Sequence, residues 1–458
     1  MSEISDDGHH AVKPTIPAWK IAVMGISALS LGLTLGLSPA YAVSYGGYGG
    51  TLAWLIGAFV MIAMATVICN FAKRHVASGS LTSYIGLVFG KPGWAIVGGF
   101  QILGFLAICS SITASTQVFL VGSMNDIGFD NSSTFIQGML ILALIVLAAY
   151  FASKGVEASV KVSLALALGS VPPLILLMLY YAFKHGIELQ SQLDFSNIPT
   201  ESIVQGALVI LPFMVSFESI STLAAETSDP KKNIPRLLYS VLIAAALAGI
   251  FATVIQAPLL FEHRSALEQG ISPVQIIADA VEMSWVAVPI NFLLLLTGFA
   301  GMIAFFSFAA RVLATVSTAG VLPQWLSYRH PVTQSPVNAV KAIAVLISIC
   351  LLGPLLSADI SPVTLGTIYG SSVVSLWVIP YLMICFASII IQFKEQKFNF
   401  VQFTSSIIGI CAMLFMLSMT LVPYDDSIMA WLPWIVIFLA MPTAVWLYAK
   451  TNGRLANI

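Results

Sequence analysis

The fold is decided by the stretch at residues 202–226, which reads SIVQGALVILPFMVSFESISTLAAE. As a helix this apolar run is long enough to cross roughly 30 Å of hydrocarbon. It nevertheless carries Pro212 in its middle and a carboxylate at Glu218. Both residues are costly in a helix that faces lipid. The stretch therefore predicts a membrane-spanning segment that is interrupted and faces the interior of the protein.

The rest of the chain has the same membrane character. Of its residues 58% are hydrophobic and 9% are charged, whereas soluble domains carry roughly 25% charged residues. We therefore predict an all-α membrane protein with about twelve transmembrane helices. The apolar runs lie at residues 19–45, 50–72, 93–123, 134–153, 159–183, 202–226, 236–260, 285–319, 337–356, 362–391, 401–421 and 429–450.

The placement of lysine and arginine predicts the orientation. If the N-terminus is cytoplasmic, all but Lys184 and Arg264 of the 19 basic residues fall in inner segments. This is a strong positive-inside bias. It predicts a multi-pass protein of the inner (cytoplasmic) membrane with both termini cytoplasmic, residues 1–16 forming an N-terminal tail.

Several classes of function are disfavoured by the sequence. A net charge of −1 argues against a nucleic-acid partner. The five cysteines lie in apolar runs without paired spacing, which is typical of small apolar fillers. The loops hold no soluble catalytic domain and no phosphate-loop motif. We expect no enzyme activity, no catalytic residue, no metal site and no cofactor. The lipid bilayer and a small-molecule substrate are the expected partners.

The first span carries breaker residues like those of the 202–226 stretch. Residues 25–39 read GISALSLGLTLGLSP. Transporters built from inverted repeats often unwind one helix in each half, which frees backbone groups for a solute at the midplane. We predict interruptions around Gly32 to Gly36 and around Pro212 to Ser216, side by side. The alternatives are a small-residue packing face at the glycines, and hydroxyls of Ser30 and Thr34 that bond their own helix.

Glu218 is the carboxylate placed deepest in a predicted span. A carboxylate at that depth usually faces a cavity or has a partner. It is a candidate proton carrier or gate, or alternatively a structural hydrogen-bond hub. The histidines all lie in tails or loops, which argues against a histidine relay within the membrane.

Four stretches resemble segments of the amino acid–polyamine–organocation superfamily. They are AETSDPKKNIPR at 225–236, SFES at 216–219, ASGSLTSY at 77–84 and SFAARVLATVSTAGVLP at 307–323. The resemblance implies a leucine-transporter-like fold with a 5+5 inverted repeat and two further helices. It places the first repeat at 17–200, the second at 201–392, and helices 11–12 with a cytoplasmic C-terminus at 393–458.

The resemblance also implies a substrate site. The implied site combines positions that match a carboxylate-binding loop, the unwound part of helix 6 and an aromatic wall on helix 8, and it adds two hydroxyl-bearing residues. Its residues are Ser30, Gly32, Leu33, Thr34, Pro212, Phe213, Val215, Ser216 and Phe305. Ser170 matches the position where proton-coupled relatives place a lysine. Exchange, proton coupling through Glu218 and sodium coupling all remain possible.

The sequence therefore predicts a secondary transporter, or permease, that works by alternating access. The expected solute is an amino acid with a neutral or apolar side chain, and the alternative is a polyamine or other organic amine. A membrane-embedded enzyme or sensor would need a cluster of polar catalytic groups at one depth. The major-facilitator fold would need a basic loop motif that residues 72–79 lack.

Overall fold

A computed structural model describes residues 16–77, 79–126, 133–194, 196–268, 271–358, 362–421 and 428–450, in which the chain is helical almost throughout. The first helices are α1 (Ala18–Ala28), α2 (Leu31–Gly36), α3 (Ser38–Gly46), α4 (Gly50–Arg74), α5 (Leu81–Asp126), α6 (Thr134–Ser153), α7 (Val156–His185), α8 (Gln190–Leu193) and α9 (Thr200–Ile210). They are followed by α10 (Pro230–Glu262), α11 (Arg264–Glu268), α12 (Pro273–Ala280), α13 (Ala287–Thr318), α14 (Val337–Ala358), α15 (Pro362–Glu395), α16 (Phe400–Leu421) and α17 (Ile428–Lys450). Short 3₁₀ segments lie at Gly47–Gly49, Leu211–Phe213, Phe217–Glu226, Ser284–Val286 and Gln324–Ser327.

The predicted all-α membrane fold is confirmed. Among the described residues, 11 helical segments are long and apolar enough to cross a membrane, and α17 adds a shorter apolar stretch at Trp434–Lys450. The predicted N-terminal tail lies outside the described residues except for Ile16. The backbone of Ile16 pairs with the end of the sixth span, donating to the Glu226 carbonyl at 2.9 Å and accepting from the Ser228 N–H at 3.0 Å.

Two helix starts differ from the sequence prediction. The third apolar run was placed at 93–123, whereas α5 begins at Leu81 and continues past a non-helical residue, Gly90. Gly90 has a φ of 61°, which glycine adopts without a steric penalty. The seventh run was placed from 236, whereas α10 begins at Pro230. A proline in the first helical turn loses no hydrogen bond, so the polar residues before 236 extend the helix.

Long-range contacts show that the termini of the spans lie at two opposite ends of the bundle. At one end, which we call the basic end, Arg74 meets Glu395 and Ser335 donates to the carbonyl of Ala152. At the opposite end, Lys184 meets Glu282, and Arg264 donates to the Ser44 carbonyl. Lys184 and Arg264, the two basic residues that the sequence assigns to the outside, therefore both lie at the end of the bundle opposite the basic end.

The interior of the bundle is formed by α13, α5 and α15. In α13, 78% of the membrane span is buried, against 33% in α6, α14 and α16. Close helix contacts in the interior depend on glycine. A Cβ on Gly104 of α5 or on Gly249 of α10 would collide with the indole rings of Trp377 and Trp54, respectively.

This packing makes a prediction for Gly249. Trp54 is fully buried and its ring atoms would collide with the added Cβ, so Gly249→Ala overpacks the α4–α10 contact and lowers the stability by about 1–3 kcal/mol. The matched control is Gly353→Ala, because no heavy atom lies within 4 Å of a Cβ there. Thermal unfolding in detergent should show a lower midpoint for the first variant only. Equal midpoints for both variants would contradict the packing argument.

Candidate substrate site

The first span leaves the α-helical conformation between α1 and α2. Ser30 lies in the left-handed region at a φ of 45°, which residues other than glycine occupy uncommonly. Its N–H donates to the Ser27 carbonyl at 3.0 Å. The Thr34 hydroxyl donates to the carbonyl of Leu29 at 3.1 Å. A side-chain hydroxyl thus satisfies a carbonyl that the regular helix ladder leaves open, which lipid could not do.

The predicted position of this interruption, Gly32 to Gly36, lies between two departures from the α-helix, at Ser30 and at Leu37. Both glycines belong to α2, of which Gly36 is the last residue, and Leu37 at a φ of −121° separates it from α3. A Cβ on Gly32 would lie 2.7 Å from the Thr297 hydroxyl oxygen, and one on Gly36 would lie 2.8 Å from a methyl carbon of Leu294. The glycines therefore serve close packing of α2 against α13, as small residues do between membrane helices. The turn itself is made two residues earlier, at Ser30.

The sixth span changes conformation at residues 211–216. The α-helix α9 ends at Ile210, and Pro212 lies in a short 3₁₀ turn. Ser216 then takes a left-handed conformation at a φ of 65° before the 3₁₀ segment that begins at Phe217. The N–H of Ser216 donates to the Tyr381 hydroxyl of α15 at 3.1 Å. A side chain from another helix therefore satisfies this backbone group.

Glu218 is completely buried, and both of its carboxylate oxygens are paired. Oε1 accepts from the Trp377 indole N–H at 2.7 Å, and Oε2 accepts from the Tyr381 hydroxyl at 2.7 Å. The carbonyl of Glu218 accepts from Ser80 at 3.2 Å and from Ser221 at 2.7 Å. The side chain thus joins the second half of the sixth span to α15.

The first and sixth spans lie against each other in antiparallel directions. Near the basic end, a Cβ on Gly25 would lie 2.5 Å from the side chain of Ile220. Near the opposite end, a Cβ on Gly46 would lie 3.0 Å from the Cα of Gly206. Residue numbers rise along one span as they fall along the other, so the two interruptions come from neighbouring, oppositely directed segments.

Helix α13 packs against the first interruption through Gly301. A Cβ at this position would collide with the Ser30 hydroxyl and would lie 2.5 Å from Ile112. Phe305 follows one helical turn later on the same face. Its side chain is 2% exposed, and its ring meets Phe308 edge-on at 6.2 Å between centroids. Phe305 is thus an interior residue of the helix that walls this region.

Ser170 lies on α7, beside the first span rather than at the sixth. Its hydroxyl donates to the Leu166 carbonyl at 2.9 Å and accepts a short hydrogen bond from Thr297 of α13. Thr297 is the residue that packs on Gly32. The structure therefore brings Ser170 and Gly32 together through a hydroxyl that the sequence analysis did not single out.

The other predicted site residues lie along the two interruptions. Leu33 and Val215 are buried, and Pro212 and Phe213 are half-buried. The ring of Phe213 lies 6.3 Å from that of Tyr41 in α3. These residues lie beside Ser30 and Ser216, whereas Phe305 lies on α13, which packs against the first interruption, and Ser170 is linked to it through Thr297 of α13.

The sequence analysis missed Trp377 and Tyr381. They are spaced i, i+4 and so share one face of α15. Two aromatic residues with hydrogen-bonding tips on one face of an apolar helix could have been noticed as partners for a buried carboxylate. Thr297 was missed because a single hydroxyl in a membrane helix usually bonds its own backbone, and the Leu293 carbonyl oxygen is within hydrogen-bond reach here too, at 3.1 Å.

Ion pairs join separate helices at the basic end. Lys20 of α1 meets Glu157 of α7 at 3.2 Å, and this hydrogen bond holds the pKa of the Glu157 carboxyl below its usual value. Arg74 of α4 meets Glu395 of α15 at 2.9 Å. These two pairs are partly or largely exposed to solvent. They therefore contribute little to the free energy of unfolding, but they show which helices meet.

A third ionic cluster is buried. Glu226, at the end of the sixth span, accepts from Arg311 of α13 at 2.8 Å and 3.0 Å in a two-pronged pair. Arg329 adds a contact at 3.4 Å. Burial, followed by the charge of Arg311, lowers the pKa of the Arg329 guanidinium. Arg311 is only 1% exposed, so its charge depends on Glu226 for compensation.

Within the described ranges, no group of three or more histidine, cysteine, aspartate or glutamate side chains is placed to hold a metal ion. The free cysteines of these ranges are Cys69, Cys109, Cys350, Cys385 and Cys411.

A bundle of membrane-crossing helices with an interior carboxylate and antiparallel first and sixth spans has the architecture of a multi-pass membrane transporter. The sequence profile described as amino acid permease matches residues 17–446. The chain belongs to this family, whose members are membrane transporters and not enzymes. The predicted superfamily is thereby confirmed.

Individual relatives are distant. A branched-chain amino acid permease of Bacillus subtilis is 21% identical over 81% of this chain and 82% of its own length. An uncharacterized amino acid permease of the same organism is 23% identical over 71% of this chain and 75% of its own length. Cationic amino acid transporter 1 of Arabidopsis thaliana is 21% identical over 74% of this chain. That match covers 58% of the plant protein.

The buried ionic cluster gives a stability prediction. Arg311→Ala leaves Glu226 with the single, longer contact to Arg329, and removal of one partner from a buried pair costs about 3–5 kcal/mol. The midpoint of thermal unfolding in detergent should therefore fall markedly. Lys161→Ala is the control, because Lys161 is exposed and lies 3.9 Å from its partner. A fall of equal size in both variants would show that the buried pair contributes no more to stability than an exposed one.

A second prediction concerns Tyr381. Tyr381→Phe removes one bond to Glu218 and leaves the Ser216 N–H without its acceptor, so we expect a loss of about 1–3 kcal/mol in stability. Tyr150→Phe is the matched control, because Tyr150 is 53% exposed on α6. Unfolding curves of the two variants in the same detergent decide the point. If the curves coincide, the sixth span does not rely on Tyr381.

Proposed function

We propose that the protein is a secondary transporter that moves an amino acid with a neutral side chain across the cytoplasmic membrane by alternating access. The substrate binds at the two interruptions, around Ser30 and at residues 211–216. Ser30, Gly32, Leu33, Thr34, Pro212, Phe213, Val215, Ser216 and Phe305 form or back this site. Family membership supports transport of amino acids. The location of the substrate site and the preference for a neutral side chain rest on the geometry.

The observation that carries the preference is the pairing of Glu218. Both carboxylate oxygens already accept hydrogen bonds from Trp377 and Tyr381, so this charge is committed to α15 and is not offered to a cationic side chain. Several buried hydroxyls of the described residues have no hydrogen-bond partner, and three of them, those of Ser27, Ser216 and Ser219, lie on the two interrupted spans. Buried polar groups normally have partners. Hydroxyls without partners beside apolar side chains suit the zwitterionic backbone of an amino acid with an uncharged side chain.

The antiparallel first and sixth spans support a 5+5 arrangement, with repeats at 17–200 and 201–392 and two further helices at 393–458. In this arrangement the basic end faces the cytoplasm, and both termini lie on that side. Spans 1, 2, 6 and 7 would move against the remaining helices. The ion pairs at the basic end then join moving to fixed helices and would hold that side closed.

Purified protein in vesicles tests the substrate. Leucine, isoleucine or valine should be taken up and compete with one another, whereas arginine and spermidine should compete poorly because, in the described part of the chain, no uncommitted carboxylate faces the interruptions. Uptake of arginine or spermidine as efficient as that of leucine, isoleucine or valine would refute the neutral-substrate proposal. No uptake of any amino acid by folded protein would refute the transport proposal itself.

Phe305 provides a test of the site. Phe305→Ala should weaken substrate binding about tenfold or more, since a large apolar contact worth about 1.5–3 kcal/mol is lost. Phe299→Ala is the control, because Phe299 lies on the same helix and meets Phe151 of α6 instead, at 6.3 Å. Binding measured by calorimetry on correctly folded variants separates the two. Full affinity in Phe305→Ala would make Phe305 a packing residue.

The role of Glu218 is tested by Glu218→Gln, which keeps the shape of the side chain but cannot titrate. We propose that Glu218 ties the sixth span to α15 and that Ser170 positions Thr297, neither of them carrying a proton. Vesicles with an imposed pH gradient should then give the same ratio of driven to undriven uptake for the variant and the parent. Loss of the gradient response with retained binding would instead make Glu218 the proton carrier.

A further inference from the structure

The link between α15 and α16 is a short turn with fixed backbone geometry. The turn reads FKEQKFNFV at residues 393–401. Gln396 has a left-handed φ of 52°. The N–H groups of Gln396 and Lys397 bond back to the carbonyls of Phe393 and Gln392 at 3.3 Å and 3.2 Å. These are the two crossed bonds that commonly end a helix. The turn therefore presents its side chains in a defined arrangement.

The side chains of this turn are large, apolar and exposed. Phe393, Phe398 and Phe400 are 69%, 63% and 72% exposed. The ring of Phe398 rests on Phe403 at 5.2 Å. The turn lies where two membrane-crossing helices end and begin, at the boundary between hydrocarbon and water, and aromatic residues are enriched there. Exposure at this depth indicates contact with lipid rather than with bulk water.

Basic side chains are interleaved with these rings. Lys394 and Lys397 alternate with the phenylalanines along the turn and are exposed. Glu395 between them is already engaged by Arg74 of α4 at 2.9 Å and 3.0 Å. The negative charge of the turn is thus compensated by a neighbouring helix, while the two lysines add to the positive charge of the surface.

The same surface includes the start of α10. The Cys69 thiol of α4 donates to the Pro235 carbonyl of α10 at 3.4 Å, and Arg74 at the end of α4 meets Glu395 at 2.9 Å. The end of α4 therefore lies beside both the start of α10 and the 393–401 turn. Their basic residues outnumber the carboxylate of Glu395, so the combined charge is positive.

We propose that the 393–400 turn, with Arg74 and Lys231, is a docking surface for the headgroups of anionic phospholipids. Lys394, Lys397 and Lys231 attract the negatively charged phosphate, and the phenylalanine rings lie among the upper acyl chains. Basic side chains beside a membrane bind anionic lipid in this way. The turn belongs to α15 and α16, whereas Arg74 and Lys231 belong to α4 and α10. One bound headgroup therefore contacts both pairs of helices.

The test compares folded protein in phosphatidylcholine with and without phosphatidylglycerol. Native mass spectrometry counts retained phosphatidylglycerol, and thermal unfolding measures the stabilisation that it provides. The double variant Lys394→Gln with Lys397→Gln should lose about thirtyfold in apparent affinity for phosphatidylglycerol. The control is Lys161→Gln with Lys341→Gln, which removes equal charge at the basic end from exposed positions on α7 and α14. The control should retain phosphatidylglycerol like the parent.

Two further arms separate the sources of the effect. Phe398→Ser with Phe400→Ser keeps the charge and should also weaken retention, because it removes the apolar contact. Inorganic phosphate added to protein in pure phosphatidylcholine should give no stabilisation. Equal losses in the lysine variant and its control would reduce the effect to general surface charge and overturn the proposal. Stabilisation by free phosphate that matches that of phosphatidylglycerol would overturn it in favour of an ion site.

Discussion

A hydrocarbon environment offers no hydrogen-bond partner to the backbone, and this constraint governs the interior of the protein. Wherever a span departs from the α-helix, its freed groups need partners from the protein itself. At the first span the Thr34 hydroxyl supplies one for the Leu29 carbonyl. At the sixth span Tyr381 supplies one for the N–H of Ser216, and the same hydroxyl donates to Glu218. The departure from helix and the buried carboxylate are thus parts of one hydrogen-bond network.

That network explains why Glu218 can stay deep in the membrane. A buried carboxylate is tolerated when its oxygens are well paired. Trp377 and Tyr381 provide this pairing from one face of α15, and Trp377 in turn fits against Gly104 of α5. The position of α15 relative to the sixth span is therefore determined by polar contacts on one side and by glycine packing on the other.

Much of the fold was predictable because hydropathy is a local property. Long apolar runs, basic loops and Pro212 predict the number of spans and the departure from helix in the sixth span without knowledge of contacts. The site was less predictable because its geometry depends on residues distant in sequence. Gly32 and Gly36 attract attention as helix breakers, yet they accommodate Thr297 and Leu294. The left-handed turn falls at Ser30, where no sequence rule distinguishes a serine that turns the chain from one that continues a helix.

The ion pairs at the basic end have a consequence for how the protein responds to heat. Removing charged groups from water becomes less unfavourable as temperature rises, whereas the gain from burying apolar area levels off. The contact of Glu226 with Arg311 should therefore strengthen, relative to the apolar packing around it, in a warmer membrane. Helices that meet through such pairs keep that contact over a wider thermal range than helices joined by apolar side chains alone.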